Sequence, residues 1–243
     1  MKSRVRLTRY RHSGVSWAVN GGAKKIRLIT DWPNPESANP TSEKVPTCIS
    51  YVDGKPTNWG FQVGFAEDSF KWIKILLEPN HKYAKVIEPV KISNRLLGAL
   101  KKTAVEVVAD YLRFLWAYTK DDIRRRQGDD YLSIYSLRII LTVPAIWSDA
   151  AKDKTLQAAR LAGLPSDITL VTEPEAAALA TLRDKADTSN LKVSHHKYTV
   201  NCFTRLTLTG WRCICSLRCW RRNCGMLPII NRIRTITEWV TRI

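Results

Sequence analysis

The chain has 243 residues, 44% of them hydrophobic and 25% charged. That is a globular composition able to bury a core, with room for one large domain or two small ones. It excludes a disordered polar chain, a disulfide-stapled mini-protein and a coiled coil. No apolar run reaches the ~18–20 residues of a spanning helix, and the basic N-terminus lacks the apolar stretch of a signal peptide, so a cytoplasmic protein without membrane contact is expected. The net charge of +17 suggests a nucleic-acid partner until it is located. Residues 1–27 hold eight Lys/Arg and no acid, and residues 194–243 hold nine against Glu238 alone. The stretch between them, with 22 basic and 21 acidic residues, is nearly neutral. Cysteine divides in the same way: Cys48 stands alone before residue 200, while Cys202, Cys213, Cys215, Cys219 and Cys224 crowd the tail.

In chain order, Ser13–Val19 alternates polar and apolar positions, Asn20-Gly21-Gly22 supplies a turn, and Lys25–Thr30 alternates again. Asp31 to Ser42 is a Pro-rich loop. Pro46–Val52, the turn Asp53-Gly54 and Trp59–Val63 predict one more hairpin. Over residues 94–119 the period changes: Leu97, Leu100, Ala104, Val107, Val108, Tyr111, Leu115 and Tyr118 recur at helical spacing and predict one long amphipathic helix. The charged segment Lys120–Asp130 is expected to be a solvated loop. Leu137–Val143 is a continuous apolar strand of the kind buried on both faces, ended by Pro144. Ser148 is expected to cap a helix running to about Ala162, with Gly163 as its stop. Ile168–Thr172 predicts another buried strand, and Glu173-Pro174-Glu175 the start of a further helix. Strand, helix, strand, helix with short joints predicts an α/β fold.

The block from Val143-Pro144-Ala145-Ile146-Trp147-Ser148 through Leu164, followed by Thr172-Glu173-Pro174-Glu175-Ala176-Ala177-Ala178-Leu179-Ala180, resembles the 70-kDa heat-shock protein family, in particular a divergent branch that carries Trp after Val-Pro-Ala. Ser13–Ala18 is similar to the strand after that family's first phosphate loop, and Phe70–Leu77 to its lysine segment. The similarity spans residues 13–192 and is densest at 139–183. It implies an incomplete first lobe of an actin-like, ribonuclease H-like ATPase domain, a mixed sheet with helices, between a basic non-family N-terminus (1–12) and a disordered basic tail (193–243). It also implies ATP and Mg as cofactors, with unfolded polypeptide or co-chaperones as partners of the parent protein. Three positions carry over. Lys74 corresponds to the lysine that contacts the γ-phosphate and the attacking water, with Lys71 as the other register. Glu173 corresponds to the carboxylate near the magnesium shell, and Pro144 to the proline that couples nucleotide state to the partner domain. Without the resemblance, a helical Lys is usually solvated, Glu173 is a helix N-terminal charge, and Pro144 merely ends a strand.

Departures from the family pattern bear on activity. Leu7-Thr8-Arg9-Tyr10-Arg11-His12 stands where an Asp-x-Gly-Thr-Thr loop should cradle phosphate through its backbone N–H groups. After Lys192, where a second loop Asp-x-Gly-Gly-Gly-Thr is expected, stands Ser194-His195-His196-Lys197-Tyr198. The expectation is therefore no ATPase activity for the chain as written. The genetic code offers an origin for the tail. Val193-Ser194 is encodable as GTA-AGT, an intron start, and Thr209-Gly210 as ACA-G, an intron end. The interval is 17 codons plus one base, 52 nucleotides, which shifts every later codon by one. Shifted back, residues 210–224 permit Val-Gly-Asp-Ala-Phe-Val-Val-Cys-Asp-Ala-Gly-Gly-Gly-Thr-Val, with the Gly codons spanning Trp211 and Trp220 forced. That string contains the missing loop.

Two other readings of the tail compete. Cys213, Cys215, Cys219 and Cys224, with His195 and His196, offer zinc ligands, but without the paired C-x2-C spacing of zinc knuckles. Arg212, Arg218, Arg221 and Arg222 interleave with Trp211 and Trp220 as a stacking surface for single-stranded nucleic acid. Frame-shifted sequence yields the same density of Arg, Cys and Trp by chance, so neither partner is expected.

Overall fold

The computed structural model describes residues 12–19, 26–34, 41–65, 67–78, 80, 84 and 86–178. They fall into two compact units, the larger drawn from described residues within 12–16 and 27–170, the smaller from residues 17–19, 26 and 171–178. Both helices and strands are present, as a mixed α/β chain.

The first strands are short: β1 (His12–Ser13), β2 (Ser16–Trp17), β3 (Arg27–Leu28) and β4 (Val45–Pro46). β1 pairs antiparallel with β4, and the Ser13 and Thr47 hydroxyls lie 2.9 Å apart. β5 (Cys48–Val52), β6 (Lys55–Trp59) and β7 (Ser69–Lys71) form a three-stranded antiparallel sheet with β5 in the centre. The predicted hairpin is present, but its return strand is Lys55–Trp59 rather than Trp59–Val63. Asp53 and Gly54 both take positive φ (51° and 73°), the two-residue turn whose twist lets pairing resume at once. Gly60 then turns the chain at φ 59°, where a Cβ would lie 2.4 Å from Val45 Cγ2. Residues 60–62 form a short 3-10 turn instead of the expected strand.

The single helix expected over 94–119 is two. α1 (Ile73–Leu76) follows β7, and α2 (Glu88–Leu100) ends at Lys101 in the left-handed region (φ 51°). There the Lys101 N–H donates to Gly98 O and the Lys102 N–H to Leu97 O, a Schellman arrangement. α3 (Ala104–Gln127) restarts with a full capping box: Thr103 Oγ1 accepts from the Glu106 N–H, and the Glu106 carboxylate accepts from the Thr103 N–H at 2.7 Å. α3 also absorbs most of the segment expected to be a loop. Asp121–Arg124, Asp122–Arg125 and Asp122–Arg126 pair at helical spacing, and Asp122 and Ile123 are buried. Gly128 stops the helix.

A single turn, α4 (Tyr131–Ile134), leads to β8 (Ile139–Val143). α5 (Asp149–Leu161) starts at Ser148, whose Oγ accepts from the Ala151 N–H at 3.2 Å, and Gly163 turns at φ 78° just past its end. β9 (Ile168–Thr172) neighbours β8 in a two-stranded sheet, and the Ile139 N–H donates to Asp167 O. Buried burial on both faces was expected of β8, yet of its residues only Val143 is buried. Among the described residues this pair of strands has no flanking neighbour to cover the rest.

The core of the larger unit lies where α3 meets the three-stranded sheet and α5. Ile49, Phe70, Ile73, Ile75, Val90, Val107 and Tyr111 are almost fully buried there. The Trp59 ring stands edge-on to Trp32 and Tyr111 and parallel to Phe114 at 6.3 Å. A polar knot sits beside it. Asp110 accepts hydrogen bonds from Tyr51 Oη, Lys102 Nζ and Arg113 Nη1, and Arg113 Nη2 reaches Leu161 O on α5.

Candidate functional site

β7 delivers the lysine segment. Ser93 Oγ on α2 lies within 3.1 Å of both the amide nitrogen and the carbonyl oxygen of Lys71, so the Lys71 backbone is fixed while its side chain is exposed. Trp72 follows in the left-handed region (φ 60°) with its indole buried, a costly backbone for a bulky residue that the packing of the ring offsets. This reverses the chain into α1, where the Ile75 N–H closes on Trp72 O and the Leu77 N–H on Lys74 O. Lys74 therefore sits on a short helical turn, half-buried between Ile73 and Ile75, which anchor the turn in the core. The two registers thus differ in setting: Lys71 is an exposed strand end, Lys74 a held position.

Pro144 is buried directly after β8. The Trp147 N–H donates to Pro144 O at 3.2 Å, closing a corner whose indole is buried with its Nε1–H meeting no acceptor among the described residues. Ser148 leaves this corner as the cap of α5. Its amide and hydroxyl both donate to Glu78 Oε2, at 3.0 and 2.5 Å. Glu78 is the buried residue just beyond α1, and the Ser148 hydroxyl and then its amide hold the carboxyl below the usual range. The structure thus joins the exit of the Lys74 turn to the exit of the Pro144 corner through one carboxylate. Sequence reasoning missed Glu78 because its partner lies 70 residues away and no local pattern marks it.

Glu173 lies in the smaller unit, half-buried, as the first residue of a helical stretch at 173–178. Thr172 caps that stretch. The Glu175 carboxylate accepts from the Thr172 N–H and hydroxyl at 2.9 and 2.8 Å, and Thr172 Oγ1 from the Glu175 N–H. Glu175 is thus the carboxylate that serves the helix start, a Thr-x-x-Glu box legible in the sequence but unread there.

Nucleotide and magnesium are poorly matched by what is present. Among the described residues no three His, Cys, Asp or Glu side chains gather as a metal site. Neither glycine loop that would wrap phosphate is written in the chain. Gly14, the glycine nearest the first loop position, faces Glu43 O, which a Cβ would approach to 3.2 Å, so it serves close packing. A shallow hollow at the end of α3 is lined by Asp121, Arg124, Arg125, Gly128 and Asp129. Arg124 pairs there with Asp121, Arg125 pairs with Asp122 and lies over the Tyr118 ring, and the two arginines of the lining stand beside two acids, Asp121 and Asp129. Burial pushes the Cys48 thiol up to about 11, with its Sγ–H on Gly60 O, which makes it a core group rather than a nucleophile. The tail cysteines, His195, His196 and the Arg/Trp cluster lie outside the described residues. Within the described residues no helix is long and apolar enough to cross a membrane.

No protein-family model matches the chain. Among curated proteins it is 25% identical over 181 residues to heat shock 70 kDa protein 12B of Homo sapiens, an alignment covering 69% of this chain and 26% of that protein. It is 36% identical over 107 residues to the chaperone protein HscA homolog of Burkholderia cenocepacia, covering 44% of this chain and 15% of the relative. To the chaperone protein DnaK of Stenotrophomonas maltophilia it is 32% identical over 111 residues, 45% of this chain and 13% of the relative. These matches support a relationship to heat-shock-70-type proteins. The chain spans about a quarter or less of the length of each of these relatives.

Proposed function

We propose that residues 13–192 are part of the first lobe of an actin-like, ribonuclease H-like ATPase domain of the heat-shock-70 type. The parent activity is ATP-driven binding and release of polypeptide. Lys74, Glu173 and Pro144 are the positions that serve it there. The observation that carries this reading is the run from β8 through the buried Pro144 corner, the Ser148-capped α5 and β9 to the Thr172-capped helix start. It reproduces the strand–corner–helix–strand–helix order of the resemblance, and the similarity to three chaperone-type proteins agrees with it.

On the same reading the chain as written does not turn over ATP, because positioned backbone donors and metal supply most of the catalysis of phosphoryl transfer and both Gly-rich loops are missing. Codons 193–209 and the first base of codon 210 are then retained intron, and the tail was never selected as protein. The test is to sequence mature message across codons 190–226, and to assay phosphate release from Mg-ATP by two chains, one as written and one encoded with the 52 nucleotides removed. Expected are message without the segment, no turnover by the chain as written, turnover by the other, and a loss of roughly 100-fold or more in that activity on Lys74→Ala. Abundant message that keeps the segment, encoding a chain that hydrolyses ATP, would overturn the proposal.

A further inference from the structure

Glu67 and Glu78 both take neutral donors, but Glu67 does so from Ser50, Asn58 and Gly64 close by in sequence, whereas Glu78 ties together segments 70 residues apart. Asp121, Asp149 and Glu88 are surface groups paired within their own helices. Asp110 and Asp122 are buried against cations. Glu78 is 7% exposed, has no cation in hydrogen-bonding contact among the described residues, and takes its donors from two places far apart in sequence. One is the Asn80 amide beside it, the other the amide and hydroxyl of Ser148. The Ser148 hydroxyl is itself the acceptor for the Ala151 N–H. Two hydrogen bonds in series therefore run from the first turn of α5 to the residue that ends the Lys74 turn. The positive end of α5 faces that carboxylate, which adds to their strength. On the other side, the Glu78 N–H donates to Ile75 O and the Leu77 N–H to Lys74 O, so the carboxylate is carried by the same turn as Lys74. Trp72 in its left-handed conformation and the buried Trp147 corner flank the link at its two ends.

We propose that Glu78 is a positioning residue that locks the Lys74 turn to the corner after Pro144, so that a displacement of either is transmitted to the other through Ser148. Its meaning for ATP chemistry rests on the reading of Lys74 and Pro144 above, but the link itself is testable without nucleotide. An N-cap assisted by a nearby acid, with no transmission, is the alternative to beat.

The experiment is amide hydrogen exchange on the full 243-residue chain and on Ser148→Ala, Ser148→Thr and Glu78→Gln. Ser148→Ala removes the hydroxyl from α5 and leaves α1 untouched in sequence. The lock requires exchange to quicken about tenfold at Ala151 and Lys152 and also at Ile75, Leu77 and Glu78. Ser148→Thr keeps the hydroxyl and restores both sets. Glu78→Gln quickens the two sets as well and is non-additive with Ser148→Ala. Exchange that quickens only at 148–152 in Ser148→Ala, with 75–78 unchanged, would overturn the lock. If Glu78→Gln fails to fold, the serine variants alone decide. Adding Mg-ATP to the chain encoded with the 52 nucleotides removed separates the two proposals. Coupled exchange with no response to nucleotide sustains the lock and counts against nucleotide binding by that chain. A nucleotide response without coupled exchange does the reverse.

Discussion

Asp110 shows how one residue holds several elements. Its desolvation favours the neutral acid, but hydrogen bonds from Tyr51, Arg113 and Lys102 outweigh that and hold its carboxyl below the ordinary value of 3.8. A depressed folded-state value gives stability that is present above the unfolded value and lost as pH falls through the folded one. Asp110→Ala leaves Lys102 half-buried and the Tyr51 hydroxyl without its acceptor, and should lower unfolding stability by about 3 kcal/mol in urea titrations at neutral pH. Asp110→Asn keeps an acceptor oxygen and should lose less. Below pH 3.8 the gap between wild type and Asp110→Ala should narrow, and a gap that stays constant with pH would count against an ionised Asp110. None of this was visible in the sequence, where Tyr51, Lys102, Asp110 and Arg113 are ordinary polar residues. Their meeting depends on β5 crossing α3. Pro144 and Glu173 were singled out from the dense motif at 139–183 and Lys74 from the separate segment Phe70–Leu77, whereas Glu78 and Ser148 are joined only by tertiary structure.

At the scale of elements, the break between α2 and α3 follows from local rules that the apolar period concealed. Leu97, Leu100, Ala104 and Val107 keep a helical rhythm across the interruption, so periodicity alone joins what Thr103 and Glu106 divide. Thr103→Ala should cost about 1 kcal/mol by thermal or urea unfolding. Lys101→Gly should stabilise by about 0.5–1 kcal/mol, because glycine adopts the left-handed C-terminal position without strain. If both changes prove neutral, the caps do not set the boundary. The charged run 120–127 was misjudged for a complementary reason. Charge density suggests solvent, but spacing of three and four converts Asp and Arg into helix-supporting pairs, and Asp122 turns inward to Arg126. α5 and the bounds of β9, in contrast, matched their sequence signals, since Ser148, Gly163 and the β-branched run Ile168–Thr172 all act locally, but β9, expected to be buried, buries only Val171.

Across the larger unit, order is unevenly supported. β5 is paired on both sides and packed by α3, whereas β8 has one partner among the described residues and mostly half-buried side chains. Amides of β8 should therefore exchange well before those of β5, at a rate governed by local opening rather than global unfolding. Equal protection of the two would mean that β8 has cover in solution that the described residues do not provide.

The sequence by itself determined the alternating strand and helix order, the caps at Ser148 and Gly163, the end of β8 at Pro144 and the heat-shock-70 resemblance. All of these are encoded in contiguous residues, where short-range sterics and backbone hydrogen bonding act. Only the tertiary structure decided that Glu78 meets Ser148, that Asp110 gathers three donors and that β8 remains half covered. Those outcomes depend on which surfaces meet after the chain has closed loops of tens of residues, and local pattern carries no record of that.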